Sequence, residues 1–233
     1  MKKGIKKVLK TLCSASLIGS ILLASTACDK RQEIVVYNWG EYIAEDTIAN
    51  FEAAFPQYKV LYREFETNET MYPNLDNSYD VIIPSEYMVC RLINEERIQP
   101  LDWDLLPDVT KYMDPVFNKL QYSSDKSLSD EVLNYAIPYL YCTVGLVYDA
   151  DRVSIPEGTT DPQEIWGVLF DAENNPGIGM YDSMRESIGV ALNSLGYSLN
   201  SMDEDQLNEA LQLLIEQKAN LNPAYGVDNL KDK

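Results

Sequence analysis

Apolar and polar residues follow readable periods over the first 100 positions of the chain. Residues 33–37 (EIVVY) are a β-branched run that predicts a strand. A short polar and aromatic stretch, 38–42, interrupts it. Ile48, Phe51 and Phe55 then recur at helical spacing, with Asp46 as N-cap and Pro56 as stop. Residues 59–65 (KVLYREF) predict a strand, and 68–75 a helix weakened by Pro73. Residues 79–83 (YDVII) lack alternation, as a strand buried on both faces does. Residues 86–96 predict a helix with Val89, Leu92 and Ile93 inward. Three strand–helix pairs in succession predict a parallel sheet with helices on both faces. Ligands of such sheets sit beyond the carboxyl ends of the strands. Two loops leave those ends, one carrying Trp39 and Tyr42, the other Ser85 and Tyr87. They are expected to meet at one edge of the sheet.

The pattern is less regular further on. Residues 99–130, with Pro100, Pro107 and Pro115, predict wrapping loops and one or two short helices. Residues 135–148 (YAIPYLYCTVGLVY) are apolar and β-prone, and predict an extended segment crossing between two lobes. Beyond it lie a helix over 161–170 with Pro162 in its first turn, a short strand over 177–180, and helices over 183–195 and 202–218. Leu207, Ala210, Leu211 and Leu214 form the apolar stripe of the last helix.

Composition narrows the chemistry. The 233-residue chain has 19 Lys and Arg, 37 Asp and Glu, no His, and a net charge of −18. Without His there is no Ser-His-Asp or Cys-His pair and no His-ligated zinc. The acidic balance argues against nucleic acid and suits a cationic small ligand, or solubility alone. The first residues carry Lys2, Lys3, Lys6, Lys7 and Lys10 without an acid, ahead of an apolar stretch over 12–27. Residues 1–27 read as a secretory signal, too short and polar for a comfortable membrane span. Ser25-Thr26-Ala27-Cys28 resembles a bacterial lipobox, with Ser25 where Leu is usual, which makes Cys28 the lipidated mature N-terminus. The alternative is an ordinary signal with Cys28 incidental. Removal of 1–27 takes away five positive charges and leaves −23. Cys90 and Cys142 read as small buried hydrophobes, although an oxidising compartment would let them pair.

Four stretches occur in order: Tyr37-Asn38-Trp39-Gly40-Glu41-Tyr42, Asn68-Glu69-Thr70-Met71-Tyr72, residues 79–87 (YDVIIPSEY) and Ile137-Pro138-Tyr139. Together they resemble the spermidine/putrescine-binding proteins of bacterial ABC importers, over about residues 33–228. The resemblance implies a two-lobed α/β fold of periplasmic-binding-protein type, with an N-terminal lobe over 28–140 and a partial second lobe over 141–233. It implies extracytoplasmic, lipid-anchored polyamine binding, with the ABC permease and ATPase subunits as partners, no cofactor, no metal and no catalysis. The family's tryptophan and following aromatic fall on Trp39 and Tyr42, and its serine and tyrosine on Ser85 and Tyr87. Its second-lobe glutamate falls on Glu186. Its aspartate falls on Ser183, with Asp182 one position earlier.

The residue types suit the ligand. An ammonium loses several kcal/mol of hydration on burial unless a carboxylate replaces its water. Aromatic faces attract the charged ends by roughly 0.5–2 kcal/mol each and cover the methylenes. Other readings stand beside these roles. Trp39 and Tyr42 also fit as packing aromatics. Ser85 also fits as a helix cap, and Ser183 with Glu186 as a capping box that needs no ligand. Family members run on well past the length seen here, so weak or absent polyamine binding by this chain alone is expected. A binding-incompetent remnant and a secreted carboxylate-dependent hydrolase are the competing functions.

Overall fold

The computed structural model describes residues 30–75, 78–172, 177–227 and 230. Cys28 and the basic leader, on which the lipidation reading rests, lie outside the described residues. The described residues fall into two compact units, one within 1–64 and 77–82, the other within 65–76 and 83–233.

The first unit is built on a sheet of three strands. β1 (Gln32–Trp39), β2 (Tyr58–Phe65) and β3 (Val81–Ile82) lie in the order β2-β1-β3. β3 runs parallel to β1, with Val36 opposite Val81 and Tyr37 opposite Ile82. Asp80 fixes this register, because its carboxylate accepts from the Val35 N–H at 2.8 Å and its own N–H donates to the Val35 carbonyl at 2.9 Å. The Tyr37 and Tyr79 rings stack at 4.5 Å. α1 (Thr47–Ala54) ends before Pro56, as the pattern predicts. Asp46 does not cap it. Its backbone is already helical, so its carboxylate is turned to the Asn50 side chain at 2.9 Å instead. Val81 is 45% exposed, against the expectation of a strand buried on both faces. β3 is an edge strand of a three-stranded sheet, and its outer flank has no neighbouring strand among the described residues.

The second unit begins with a single capped turn. α2 (Asn68–Met71) opens on Thr67, whose hydroxyl accepts from the Thr70 N–H at 3.1 Å while the Thr70 hydroxyl accepts from the Thr67 N–H at 3.1 Å. Pro73 converts the rest of the predicted helix to a 3₁₀ turn over Tyr72–Asn74. α3 (Glu86–Asn94) packs against α5 (Lys126–Tyr135) through Val89, Cys90 and Val132, with Ile93 and Leu128 at the margin. Between them lies α4 (Pro107–Tyr112), which starts on a proline. Cys90 therefore matches the buried-hydrophobe reading. Cys142 does not, because it is exposed, and both are free thiols.

Residues 136–149 form no helix or strand. Tyr141 is 70% exposed and Val147 98%. β propensity is expressed only against a neighbouring strand, and none pairs with this segment among the described residues. α6 (Pro162–Trp166) continues as a 3₁₀ turn to Phe170. β4 (Gly179–Tyr181) then leads into α7 (Met184–Ser194), α8 (Glu204–Leu221) and β5 (Ala224–Gly226), a strand that the pattern does not predict. β5 pairs parallel with β4. Asn222, at φ 45°, supplies the left-handed residue that ends α8 and turns the chain into β5. Asp203 caps α8, accepting from the Asp205 and Gln206 N–H groups.

The core between α7 and α8 is Ala191, Leu192 and Ala210, flanked by Leu207, Leu213 and Leu214. Leu211, expected in the stripe, is 50% exposed. Residues 207, 210, 214 and 217 already complete the inward face, and 211 lies one step of about 100° beyond 210. Leu192→Ala is therefore expected to cost about 2–5 kcal/mol of stability, and Leu211→Ala no more than about 0.5 kcal/mol. Urea unfolding midpoints of the two variants measure this. Equal losses would contradict the packing described.

Candidate functional site

Each candidate residue stands where a strand gives way to a turn or helix. In the first unit, β1 ends on Trp39. Glu41 follows at φ 58°, a conformation that costs a non-glycine residue about 1–2 kcal/mol. The turn it makes holds the Tyr42 ring 6.2 Å from that of Trp39, tilted by 45°. Asn38, just before, is 1% exposed and donates from its amide to the Tyr62 hydroxyl at 2.8 Å, which fastens the end of β1 to β2. Tyr42 is 38% exposed, so part of its face is open to a guest.

The second unit holds the other candidates, and they converge. Ser85 is the N-cap residue of α3, yet its hydroxyl makes no cap hydrogen bond. It accepts instead from the Asn68 amide nitrogen at 3.0 Å. The same nitrogen donates to the Tyr87 hydroxyl at 3.0 Å, and the Ser85 N–H donates to the Asn68 carbonyl oxygen at 3.2 Å. Tyr87 in turn donates to the Glu69 carboxylate at 2.9 Å. Ser183 is the N-cap residue of α7, and its hydroxyl also makes no cap hydrogen bond. It donates to the Glu186 carboxylate. The capping readings of Ser85 and of the Ser183–Glu186 pair are therefore corrected. A side-chain cap is worth roughly 0.5–2 kcal/mol, and at both helices that bond is not made.

Arg185 ties the two helix starts together. Its guanidinium lies 5.6 Å from the centre of the Tyr87 ring and 4.0 Å from the Glu86 carboxylate. Asp182 is exposed, and its N–H donates to the Gly226 carbonyl of β5 at 2.9 Å, which fixes the turn that presents Ser183. Its charge acts on Tyr225, whose phenol is pushed up first by burial and then by this carboxylate. Asn68 and Glu69 were singled out in the sequence only as part of a motif. Their contacts run to residues 17–19 positions away, and no local period signals them.

The electrostatics are those of an acceptor site. Burial chiefly, then the hydrogen bond to Glu69 and the charges of Glu69 and Glu186, hold the Tyr87 phenol well above its ordinary range, while Asn68 pulls it slightly down. Glu86 lies 4.0 Å from the Arg185 guanidinium, while Glu69 and Glu186 act on Tyr87, so these three carboxylates outnumber the guanidinium beside the ring. The positive ends of the α3 and α7 dipoles oppose a cation, and Glu86 and Glu186 in the first turns offset them. Among the described residues no cluster of three or more metal-ligating side chains occurs. The arrangement can accept hydrogen bonds from a small cation.

Tyr87 is expected to ionise above the usual tyrosine value of about 10. A raised phenol makes a stability contribution that is complete below about pH 10 and is lost as pH rises, because the unfolded chain ionises first. The tyrosinate absorbance of the wild type minus that of Tyr87→Phe isolates this group. A difference spectrum that is half developed at pH 10 would contradict the environment described.

The comparisons with known proteins follow this geometry. The chain is 30% identical over 220 residues to a putrescine-binding periplasmic protein of Pseudomonas aeruginosa, covering 91% of this chain and 58% of that protein. It is 29% identical over 234 residues to a putrescine-binding periplasmic protein of Escherichia coli, covering 96% and 61%. Among solved structures, the substrate-binding protein of a spermidine/putrescine ABC transporter from Streptococcus pneumoniae matches with a TM-score of 0.60 and 32% identity, covering 86% of this chain and 58% of that one. A lipoprotein of Treponema pallidum shares the fold at a TM-score of 0.69 and 24% identity, covering 85% and 59%. The chain thus spans about three fifths of the length of these relatives, and it carries that share of their α/β binding-protein fold. A family described as hypothetical lipoproteins, the MG045 family, matches residues 1–172, and the chain belongs to that extracytoplasmic lipoprotein family.

Proposed function

We propose that the chain binds a polyamine of the spermidine/putrescine class outside the cytoplasm, for uptake through an ABC permease and its ATPase. Trp39, Tyr42, Ser85, Tyr87, Asp182, Ser183 and Glu186 are its ligand residues. Cys28 carries the lipid that holds the chain at the membrane, and the lobe boundary near residue 140 belongs to the same reading. The observation that carries the proposal is the behaviour of two serines. Ser85 and Ser183 occupy N-cap positions and cap neither helix. Their hydroxyls face Asn68 and Glu186, inside a cluster of carboxylates and a phenol. Local rules of this kind are broken mainly where a ligand is served.

The division of labour follows from the guest. Glu186 replaces the water of one ammonium by a charge-assisted hydrogen bond. The phenol of Tyr87 accepts a second hydrogen bond from the same head, and Ser85 offers a third oxygen. Trp39 and Tyr42 form a tilted aromatic pair suited to methylene groups and to a cationic end. The names of the Pseudomonas and Escherichia relatives, which specify putrescine, support this chemistry. Glu186 and Tyr87 are only partly buried, so water competes for the ammonium and the affinity is modest.

Calorimetric titration of the purified chain with putrescine, spermidine and butane-1,4-diol tests the proposal. Saturable binding of an amine, weaker than micromolar and absent with the diol, is expected. Glu186→Gln is expected to weaken it roughly 10- to 100-fold, the loss of one hydrogen bond to a charged group. Equal responses to diamine and diol, or no response to either amine, would overturn it.

A further inference from the structure

We propose that Asn68 and Glu69 form a positioning pair behind Tyr87: Asn68 fixes the direction of the phenol, and Glu69 makes its oxygen a strong acceptor for an ammonium. This rests on the amine-binding reading and adds two residues to it that do not touch the guest.

The argument is one of donors and acceptors. The Asn68 side chain is 3% exposed, so its amide cannot turn to water. The Ser85 backbone N–H has only a hydrogen to give, and it gives it to the Asn68 side chain at 3.2 Å. The oxygen of the amide therefore faces Ser85 N–H, and the nitrogen must face the two hydroxyls. It donates one hydrogen to Ser85 Oγ and the other to Tyr87 Oη, both at 3.0 Å. Both amide hydrogens are used, and each hydroxyl oxygen has one lone pair taken. The Tyr87 hydrogen is committed as well, to the Glu69 carboxylate at 2.9 Å. A phenol has one hydrogen and two lone pairs. What remains on Tyr87 Oη is a single lone pair, so toward a guest the group only accepts. That is the requirement of an ammonium, which has hydrogens to give and nothing to accept with.

Glu69 adds charge to this geometry. A carboxylate accepting from a phenol draws the proton away and leaves the oxygen more negative, and linked hydrogen bonds strengthen one another. The other charged groups around the ring are Glu186, which acts in the same sense, and Arg185, which lies 5.6 Å from the ring centre and is balanced by Glu86 at 4.0 Å. Asn68 and Glu69 are held for this purpose by the capping box of Thr67 and Thr70, which locks the single turn on which both sit. Glu69 is exposed, so its influence is partly screened, and the expected effect is small but directional.

The test uses the full chain and two variants. Glu69→Gln keeps the side-chain length and an acceptor oxygen but loses the charge, and its exposed site protects folding. Asn68→Ala removes the clamp. Two readings are taken on each: calorimetric binding of putrescine, and the ionisation of Tyr87 from tyrosinate absorbance against the matching Tyr87→Phe background. Glu69→Gln is expected to weaken putrescine binding roughly two- to fivefold and to lower the pH at which Tyr87 ionises. Asn68→Ala is expected to weaken binding more. Should Glu69→Gln leave the ionisation of Tyr87 unchanged, or leave putrescine binding at the wild-type value, the pairing is refuted while the amine-binding reading survives. Should the Tyr87 ionisation move but the wild type bind no amine, the amine-binding reading fails and the role proposed for the pair falls with it.

Discussion

The site depends on one buried amide that has no freedom to rotate. Asn68 is enclosed, and the backbone N–H of Ser85 decides which way round its amide lies. From that orientation two hydroxyls receive their directions. The hydroxyls at the start of α3 are thereby held by the Asn68 amide, and Ser85 does not cap the helix. An oxygen that is free to rotate donates to one guest and accepts from another. An oxygen whose hydrogen is already given away discriminates between them. The cation-binding role proposed for this surface, on a protein of net charge −18, needs this more than it needs additional charge, since charge alone attracts every cation in solution.

The rest of the architecture serves to hold these short segments still. Parallel strand pairs bring helix starts to strand ends, where turns are brief and the backbone is satisfied by the sheet. Asp80 fixes one pair, and the Asp182 N–H on the Gly226 carbonyl fixes the turn after the other. The apolar contacts of α3 with α5, and of α7 with α8, anchor the helices whose first turns carry Ser85, Tyr87, Ser183 and Glu186. Arg185 offsets part of the negative charge where these turns approach.

Much of this fold was legible in the chain. The β-branched runs, the helical spacing of Val89 and Leu92, and the proline stops reflect local preferences that packing then reinforced. The misses have physical causes. Residues 135–148 read as extended because their side chains favour a sheet, but a strand needs a partner, and sequence alone names none. β5 is three residues long and is defined by its pairing with β4 rather than by any pattern. Val81 read as fully buried because composition does not distinguish a central strand from an edge strand. Asp46 and Ser183 read as caps because residue type signals capping, whereas side-chain direction is decided by partners elsewhere. Trp39, Tyr42, Ser85 and Tyr87 are marked by the loops that leave the predicted strand ends, whereas Glu186 is marked by the family resemblance alone. The contribution of Asn68 emerged only from contacts that span 17 and 19 positions.

The most direct measurement of the central claim is nuclear magnetic resonance of the chain with ¹³C-labelled tyrosine, titrated with putrescine, with Tyr87→Phe used to assign the ring. If the Tyr87 oxygen is the acceptor described, its ring signals shift saturably with diamine, and they stay still with the diol. A diamine that binds while the Tyr87 signals remain unmoved would place the guest elsewhere and contradict the account.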